Sequence, residues 1–355
     1  MKQEHRFPYE WNLKNATFTK DKGKVFSCFS CGGGSTMGYK LAGFDVIGCN
    51  EIDPKMMEAY KVNHKPKYAF LESIQTFKLR KDLPKELYKL DILDGSPPCS
   101  SFSMVGNREK DWGKKKKFRE GQAEQVLDNL FFDFIDLAKE LQPKVVVAEN
   151  VKGLLQGNAR QYVRKIYTEF DKAGYYCQHF LLDASKMGVP QRRERVFFIC
   201  LRKDLAEPFL YQKDMFRKVP KIEMVFNEKP ILFGELGTMT ETKQDKKTVQ
   251  TARKYWQSCN KGNSFSTVSG GSFFNWCRLS ENKVAPTMHT ETRMMYHPDI
   301  MRPVNELECK LISTFPIDYD FNKINYSIFL GMSVPPVMTA QIATEIHLQW
   351  LSKIN

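Results

Sequence analysis

The chain has 355 residues, of which 42% are hydrophobic, 27% charged and 13% aromatic, enough apolar material for one large core and a smaller second domain and too much for a disordered polyelectrolyte. No apolar run reaches transmembrane length, and residues 1–23 lack the apolar stretch of a signal peptide, which argues against a membrane protein and for a cytoplasmic one. A net charge of +13 points to a polyanionic partner, and nine scattered cysteines, an odd count, argue against a disulfide framework.

In chain order, residues 24–29 read as a buried strand followed by the turn Gly32-Gly33-Gly34 and a helix over 35–42. Residues 44–50 form the next strand, and Pro54 opens another helix, a position proline favours. A strand over 90–94 ends in a Gly-Ser-Pro-Pro turn. Leu127, Leu130, Phe131, Phe134, Ala138 and Leu141 recur at helical spacing until Pro143 stops them, and Val145-Val146-Val147 and residues 195–201 are further strands. Strand–helix alternation of this kind predicts an α/β domain with a mostly parallel sheet. From 205 to about 300 the texture is irregular, rich in lysine and glycine with scattered aromatics. Order returns at the end, where Pro335-Pro336 precede a helix with Met338, Ile342, Ile346 and Trp350 on one face.

Polar residues cluster where predicted strands end, which is where open α/β sheets bind ligands. A glycine turn lets backbone approach a nucleotide closely, and an acid about twenty positions on, here Glu51, can accept from ribose hydroxyls. Asp53 fits better as the N-cap of the helix opening at Pro54. Cys99 follows Gly95-Ser96-Pro97-Pro98 directly after a strand, so its sulfur lies at the site and not in the core. Glu149-Asn150-Val151 sits at another strand tip, where a carboxyl needs a task or a partner. In Gln191-Arg192-Arg193-Glu194-Arg195, period-two alternation puts Arg193 and Arg195 on one face. Cys28 and Cys31 have C-x-x-C spacing, but no second pair or nearby histidine completes a zinc site.

Taken in order, these residues resemble the motifs of the cytosine-5 DNA methyltransferases. Phe29-Ser30 with Gly33-Gly34, Asn50-Glu51-Ile52-Asp53, Pro97-Pro98-Cys99, Glu149-Asn150-Val151 and Gln191-x-Arg193-x-Arg195 carry the resemblance. So do Arg302-Pro303-x4-Glu308-Cys309 with Phe315-Pro316, and Gly331-x-Ser333-Val334-Pro335-Pro336. The resemblance spans nearly the whole chain outside 1–23 and 205–300. It implies a Rossmann-like S-adenosylmethionine-dependent methyltransferase sheet with helices on both faces, plus a smaller, irregular target-recognition domain. The expected division is an N-terminal extension over 1–23, a catalytic domain over 24–204, target recognition over 205–300, and a return to the catalytic domain over 301–355.

The resemblance also implies roles. S-adenosylmethionine would be held by Phe29, Ser30, Gly32, Gly33, Gly34, Glu51, Ile52, Ser73, Ile74, Pro98, Ser333 and Val334, with no metal. Double-stranded DNA would be met by Pro98, Ser103, Asn150, Lys114 and Lys115, the last two in a glycine-bounded loop over 105–122 that closes over a flipped-out base. Cys99 would add to carbon 6 of cytosine, in a positive field from Arg193 and Arg195. Glu149, as a protonated acid, would donate to ring nitrogen 3 and accept from the 4-amino group. A bacterial or phage-like cytoplasmic monomer is expected. Departures fall at Ser27-Cys28, where the family usually carries Asp-Leu; at Cys31, usually glycine; at Ser73, usually aspartate; at Ser100, usually glutamine; and at Met332, usually asparagine. The departures leave open a DNA-binding protein without catalysis, and because one branch of the family acts on transfer RNA, a transfer-RNA cytosine-5 methyltransferase is a second open reading.

Overall fold

The computed structural model describes residues 5–98, 129–156, 159–214, 217–237, 252–290 and 294–354, together with the backbone of two short strand pieces at 115–116 and 125–126. The chain divides into two compact units: a sheet unit of residues 17–182, 194–225 and 339–355, and a second unit of 1–16, 183–193 and 226–338. The sheet unit thus takes residues beyond 205 and only the last part of the C-terminal segment. The second unit takes the N-terminus and 183–193 as well as the irregular region.

In the sheet unit, β1 (Lys24–Cys28), β2 (Asp45–Glu51), β3 (Tyr68–Leu71), β4 (Ile92–Gly95), β5 (Val145–Val151), β6 (Tyr175–Asp183) and β7 (Glu194–Arg202) join in the order β3-β2-β1-β4-β5-β7-β6. The pairs among β1 to β5 are parallel, and β7 runs antiparallel to β5. The order reverses at β1, with β2 on one side and β4 on the other. That is the topological switch point, where the carboxyl ends of parallel strands open a crevice. Both the glycine turn after β1 and the proline turn after β4 begin there.

Helices cover the two faces as alternation requires. On one face Phe26, Leu93, Val146, Ala148 and Phe198 pack with α3 (Ile74–Phe77), α4 (Leu130–Leu141) and α5 (Ala159–Lys172). Of the expected stripe of α4, Leu130, Phe131, Phe134, Ala138 and Leu141 are all buried in that core, and Leu127 lies outside the described residues. On the other face lie α1 (Gly34–Leu41), whose Tyr39 reaches Asp94 of β4, and α2 (Pro54–His64), whose Met57 and Tyr60 pack on Cys49 of β2. Asp53 caps α2 as expected, accepting from the Lys55 and Met56 amides at 2.9 and 3.3 Å. The hairpin β8 (Leu210–Asp214) and β9 (Arg217–Pro220) extends this unit.

In the second unit, Phe265 and Tyr296 centre an aromatic core with Tyr255, Phe273 and Trp276 packed against it. The short parallel pair β10 (Cys277–Arg278) and β11 (Met295–Tyr296) crosses it. Of the scattered aromatics of the irregular region, Phe265, Phe273 and Trp276 therefore build the fold, while Phe274 is 69% exposed. The N-terminal stretch is tied down: the Trp11 indole donates to the Thr314 carbonyl at 2.9 Å, and Asp318 accepts the Leu13 and Lys14 amides. Next come α6 (Glu306–Ile312), α7 (Tyr326–Met332) and α8 (Pro336–Gln349), and the division between units falls within α8.

Candidate active site

At the end of β1 the chain turns sharply. Phe29 and Cys31 both take positive φ, 52° and 48°, before Gly33 at 81° leads into α1. Left-handed backbone at a residue with a Cβ costs about 1–2 kcal/mol, which accounts for the glycine the family usually has at position 31. The strained turn is held by its neighbours. Ser30 N–H donates to the Asn50 carbonyl, and Cys31 N–H donates to Glu51 Oε2 at 2.7 Å. Glu51 Oε1 accepts the Ile52 and Asp53 amides, both at 2.9 Å. Burial pushes the Glu51 carboxyl up, against the pull of those three amides. A carboxylate has room for about four hydrogen bonds, so one acceptor site remains. Phe29, Ser30, Gly32, Gly33, Gly34, Glu51 and half-buried Ile52 thus come together, with turn amides, a carboxylate acceptor and apolar walls. That donor set fits a nucleoside carrying a ribose diol and a flat base.

Ser73 and Ile74 follow β3, whose chain continues beside β2 through the Glu72 N–H to the Glu51 carbonyl. Ser73 is the N-cap of α3: its Oγ accepts the Thr76 N–H at 3.1 Å. The substitution of serine for the family's aspartate therefore keeps a capping oxygen there, while the charge is lost. Ile74 is buried in the core.

At the end of β4, Pro97 is buried and Pro98 half-buried. The Asn150 side-chain amide donates to the Pro97 carbonyl at 3.1 Å, and its Oδ1 accepts the Val151 N–H at 2.9 Å. Asn150 therefore holds the backbone that leads into Cys99. Beside it, Glu149 Oε1 and Arg195 Nε are 3.1 Å apart, with side chains 13% and 16% exposed. The antiparallel β5–β7 register brings them together, because Val151 lies opposite Arg195 and Glu149 lies two residues along the same face. Burial lowers the proton affinity of the Arg195 guanidinium, opposed by Glu149.

Arg193 departs from expectation. Strand β7 begins at Glu194, so alternation does not extend back to Arg193, which belongs to the second unit and is 2% exposed. Its guanidinium donates to the Met288 carbonyl at 3.2 Å and to the Gly331 carbonyl at 3.1 Å. Gln191, fully buried, accepts the Met288 amide in the same unit. A Cβ on Gly331 would lie 2.4 Å from the backbone of His289 and Thr290, so only glycine permits that approach. Gln191, Arg193 and Gly331 thus pin the 288–290 segment, while Arg195 on β7 pairs with Glu149. Ser333 Oγ donates to the Phe329 carbonyl at 2.8 Å, and Val334 is buried. Cys99, Ser103 and Lys114 lie outside the described residues, as does the Lys115 side chain.

Asp94 was not singled out in the sequence. It is 4% exposed, and its carboxylate accepts from Ser27 Oγ at 2.8 Å and Tyr39 OH at 3.1 Å. Burial pushes it up to about 7, against the two hydroxyl donors, and the charge of Glu149 adds to the rise. The signal available was the one used for Glu149, an acid near the tip of an apolar strand.

A profile of the C-5 cytosine-specific DNA methylase family matches residues 23–348. The chain is 38% identical over 182 residues to the Type II methyltransferase M.FnuDI of Fusobacterium nucleatum, covering 51% of this chain and 48% of that protein. It is 26% identical over 337 residues to the Type II methyltransferase M.MthTI of Methanothermobacter thermautotrophicus, covering 91% and 96%. It spans about half the length of M.FnuDI and of M.NgoPII of Neisseria gonorrhoeae. A crystal structure of an Escherichia coli prophage protein, described as a DNA modification methyltransferase, superposes with a TM-score of 0.66 at 21% identity, covering 92% of this chain and 99% of that one. The long family match, on a sheet of this order, places the chain in the C-5 cytosine-specific DNA methylase family.

Proposed function

We propose that the chain is a DNA cytosine-5 methyltransferase that adds Cys99 to carbon 6 of a flipped-out cytosine. The observation that carries this reading is the meeting of Glu149 with Arg195 beside Asn150, whose amide holds Pro97 two residues before Cys99. The Cys99 thiolate forms a bond to carbon 6, and the ring electrons move toward nitrogen 3 and carbon 5. Glu149 donates a proton at nitrogen 3 and accepts from the 4-amino group, which selects cytosine over thymine. Arg195 fixes the Glu149 carboxyl and adds positive charge beside the thiolate. When bound, S-adenosylmethionine would be held by Phe29, Ser30, Gly32, Gly33, Gly34, Glu51, Ile52, Ser73, Ile74 and Pro98, with Ser333 and Val334 assigned to it by the resemblance, and it would supply an electrophilic methyl group for carbon 5. The carbon-5 proton then leaves and the sulfur–carbon bond breaks. The ring atoms are out of reach in a stacked duplex, so the base must leave the helix first, with Ser103, Lys114 and Lys115 meeting the strand.

Incubation with duplex DNA containing 5-fluorocytosine and the methyl donor tests the reading, because fluorine cannot leave carbon 5 as a proton does. A protein–DNA band that survives denaturant is expected from the wild type and absent from Cys99→Ala. A band that dissolves in denaturant would remove the covalent route. Parallel incubation with transfer RNA distinguishes the nucleic acid used.

A further inference from the structure

Asp94 is a buried acid with no part in the chemistry above. Its geometry is specific: Ser27 on β1 and Asp94 on β4 are register partners in a parallel pair, so both side chains leave the same face of the sheet. Ser27 Oγ donates to one carboxylate oxygen at 2.8 Å, and Tyr39 OH, from α1 on that face, donates to the other at 3.1 Å. Position 27 is where the family usually carries aspartate. Here a hydroxyl stands at that position, and a carboxylate reaches it from the neighbouring strand.

We propose that Asp94 is a positioning residue for the cofactor turn and the cysteine turn, its carboxylate replacing from β4 the one the family carries on β1. Through Ser27 and Tyr39 it ties β1, which enters the glycine turn, to α1, which leaves it. Asp94 itself lies on β4, which ends one residue later and leads into Pro97-Pro98-Cys99. A carboxylate satisfied by two hydroxyl donors in a dry site fixes both in place more firmly than neutral groups would. The titratable groups facing it are Tyr39 from α1 and Glu149 from β5, and Cys28 of β1, on the opposite face of the sheet, feels its charge. Glu149 is two residues past Val147, the register partner of Asp94, and so lies on the same face.

The inference rests on the cofactor reading above, and its test is binding of S-adenosylhomocysteine by calorimetry, which needs no turnover. Asp94→Ser is expected to weaken binding about tenfold or more, the size of one lost charge-assisted hydrogen bond. The exchange Ser27→Asp with Asp94→Ser is expected to restore binding to within about threefold of wild type. Ser27→Asp alone puts two acids side by side and should bind worst. Should the exchange fail to fold, the isosteric Asp94→Asn decides, since it keeps the shape and loses the charge. Wild-type affinity in Asp94→Ser or Asp94→Asn, or an exchange that binds no tighter than Asp94→Ser, overturns the proposal. Wild type that binds no S-adenosylhomocysteine at all removes the cofactor reading and the positioning role with it, whereas a failed exchange alone leaves the cofactor reading standing. As a readout that a merely structural role would not move, methylation by Asp94→Asn should lose any rate change centred near pH 7, the region where the Asp94 carboxyl titrates.

Discussion

Glu149 and Arg195 meet across β5 and β7 with little solvent around either, so the pair is held by geometry and not by chance surface contact. Glu149→Gln keeps the volume and the ability to accept from an amino group but removes the acidic proton. Its methylation rate should fall by about two to four orders of magnitude, with DNA affinity little changed. Single-turnover rates beside gel-shift affinities check this, and a rate within a few-fold of wild type would free Glu149 from its role. Asp94 adds a pH prediction. Its carboxyl lies at about 7 in the fold against an ordinary 3.8. The folded state therefore holds this proton more tightly than the unfolded chain, so the contribution of Asp94 to stability is full below its ordinary 3.8 and is lost as pH rises through about 7. Between about pH 6 and pH 8 the wild type should lose on the order of 1 kcal/mol that Asp94→Asn keeps, read from urea midpoints at the two pH values. Single residues differed in how legible they were. Asp53 as a cap and Glu149 as a strand-tip acid follow from local chemistry. Arg193 does not, because alternation says nothing of where a chain leaves its sheet, and this one joins it only at Glu194.

Among elements, the strands and helices around the switch point were readable because apolar period and glycine or proline punctuation agreed there. The helix expected over 35–42 forms as Gly34–Leu41, and the one after Pro335 buries Met338, Ile342 and Ile346, with Trp350 buried just past its end. Strand β6 went unread, since Tyr175–Asp183 mixes buried and exposed positions without a clean alternation. The motif Arg302-Pro303-x4-Glu308-Cys309 carries a resemblance whose physical reason only the fold reveals. Arg302 and Glu308 form a two-pronged ion pair at 2.7 and 2.8 Å, 2% and 0% exposed. Glu308 also closes a capping box with Asn305 at the start of α6. Removing one partner leaves the other charge buried. Glu308→Ala should cost about 3–5 kcal/mol, against about 1 kcal/mol for the cap lost in Asn305→Ala. Denaturant unfolding of the two variants compares them, and equal losses would mean the ion pair contributes nothing beyond the cap.

For the whole molecule the governing quantity is charge. Lysines and arginines number 54 against 41 acids, so after every acid is matched a surplus of 13 cations remains. Within the sheet unit many acids are matched by neighbours, as Asp133 and Asp136 are by Lys78 and Asp91 is by Lys144. Pairing of that kind uses charges in equal numbers and leaves the surplus in place. A polyanion bound by such a surface releases its condensed counterions, and affinity then falls as a power of salt concentration. With about six phosphate contacts, DNA affinity should drop by roughly a thousandfold between about 50 and 200 mM salt. S-adenosylhomocysteine, which under the proposed function would be met at the glycine turn by backbone amides and the Glu51 carboxylate, should show almost none of that dependence. Fluorescence anisotropy for DNA and calorimetry for the small ligand, run across the same salt series, separate the two terms. If DNA binding proved as insensitive to salt as the small ligand's, the surplus charge would be a solvated surface with no part in holding the substrate.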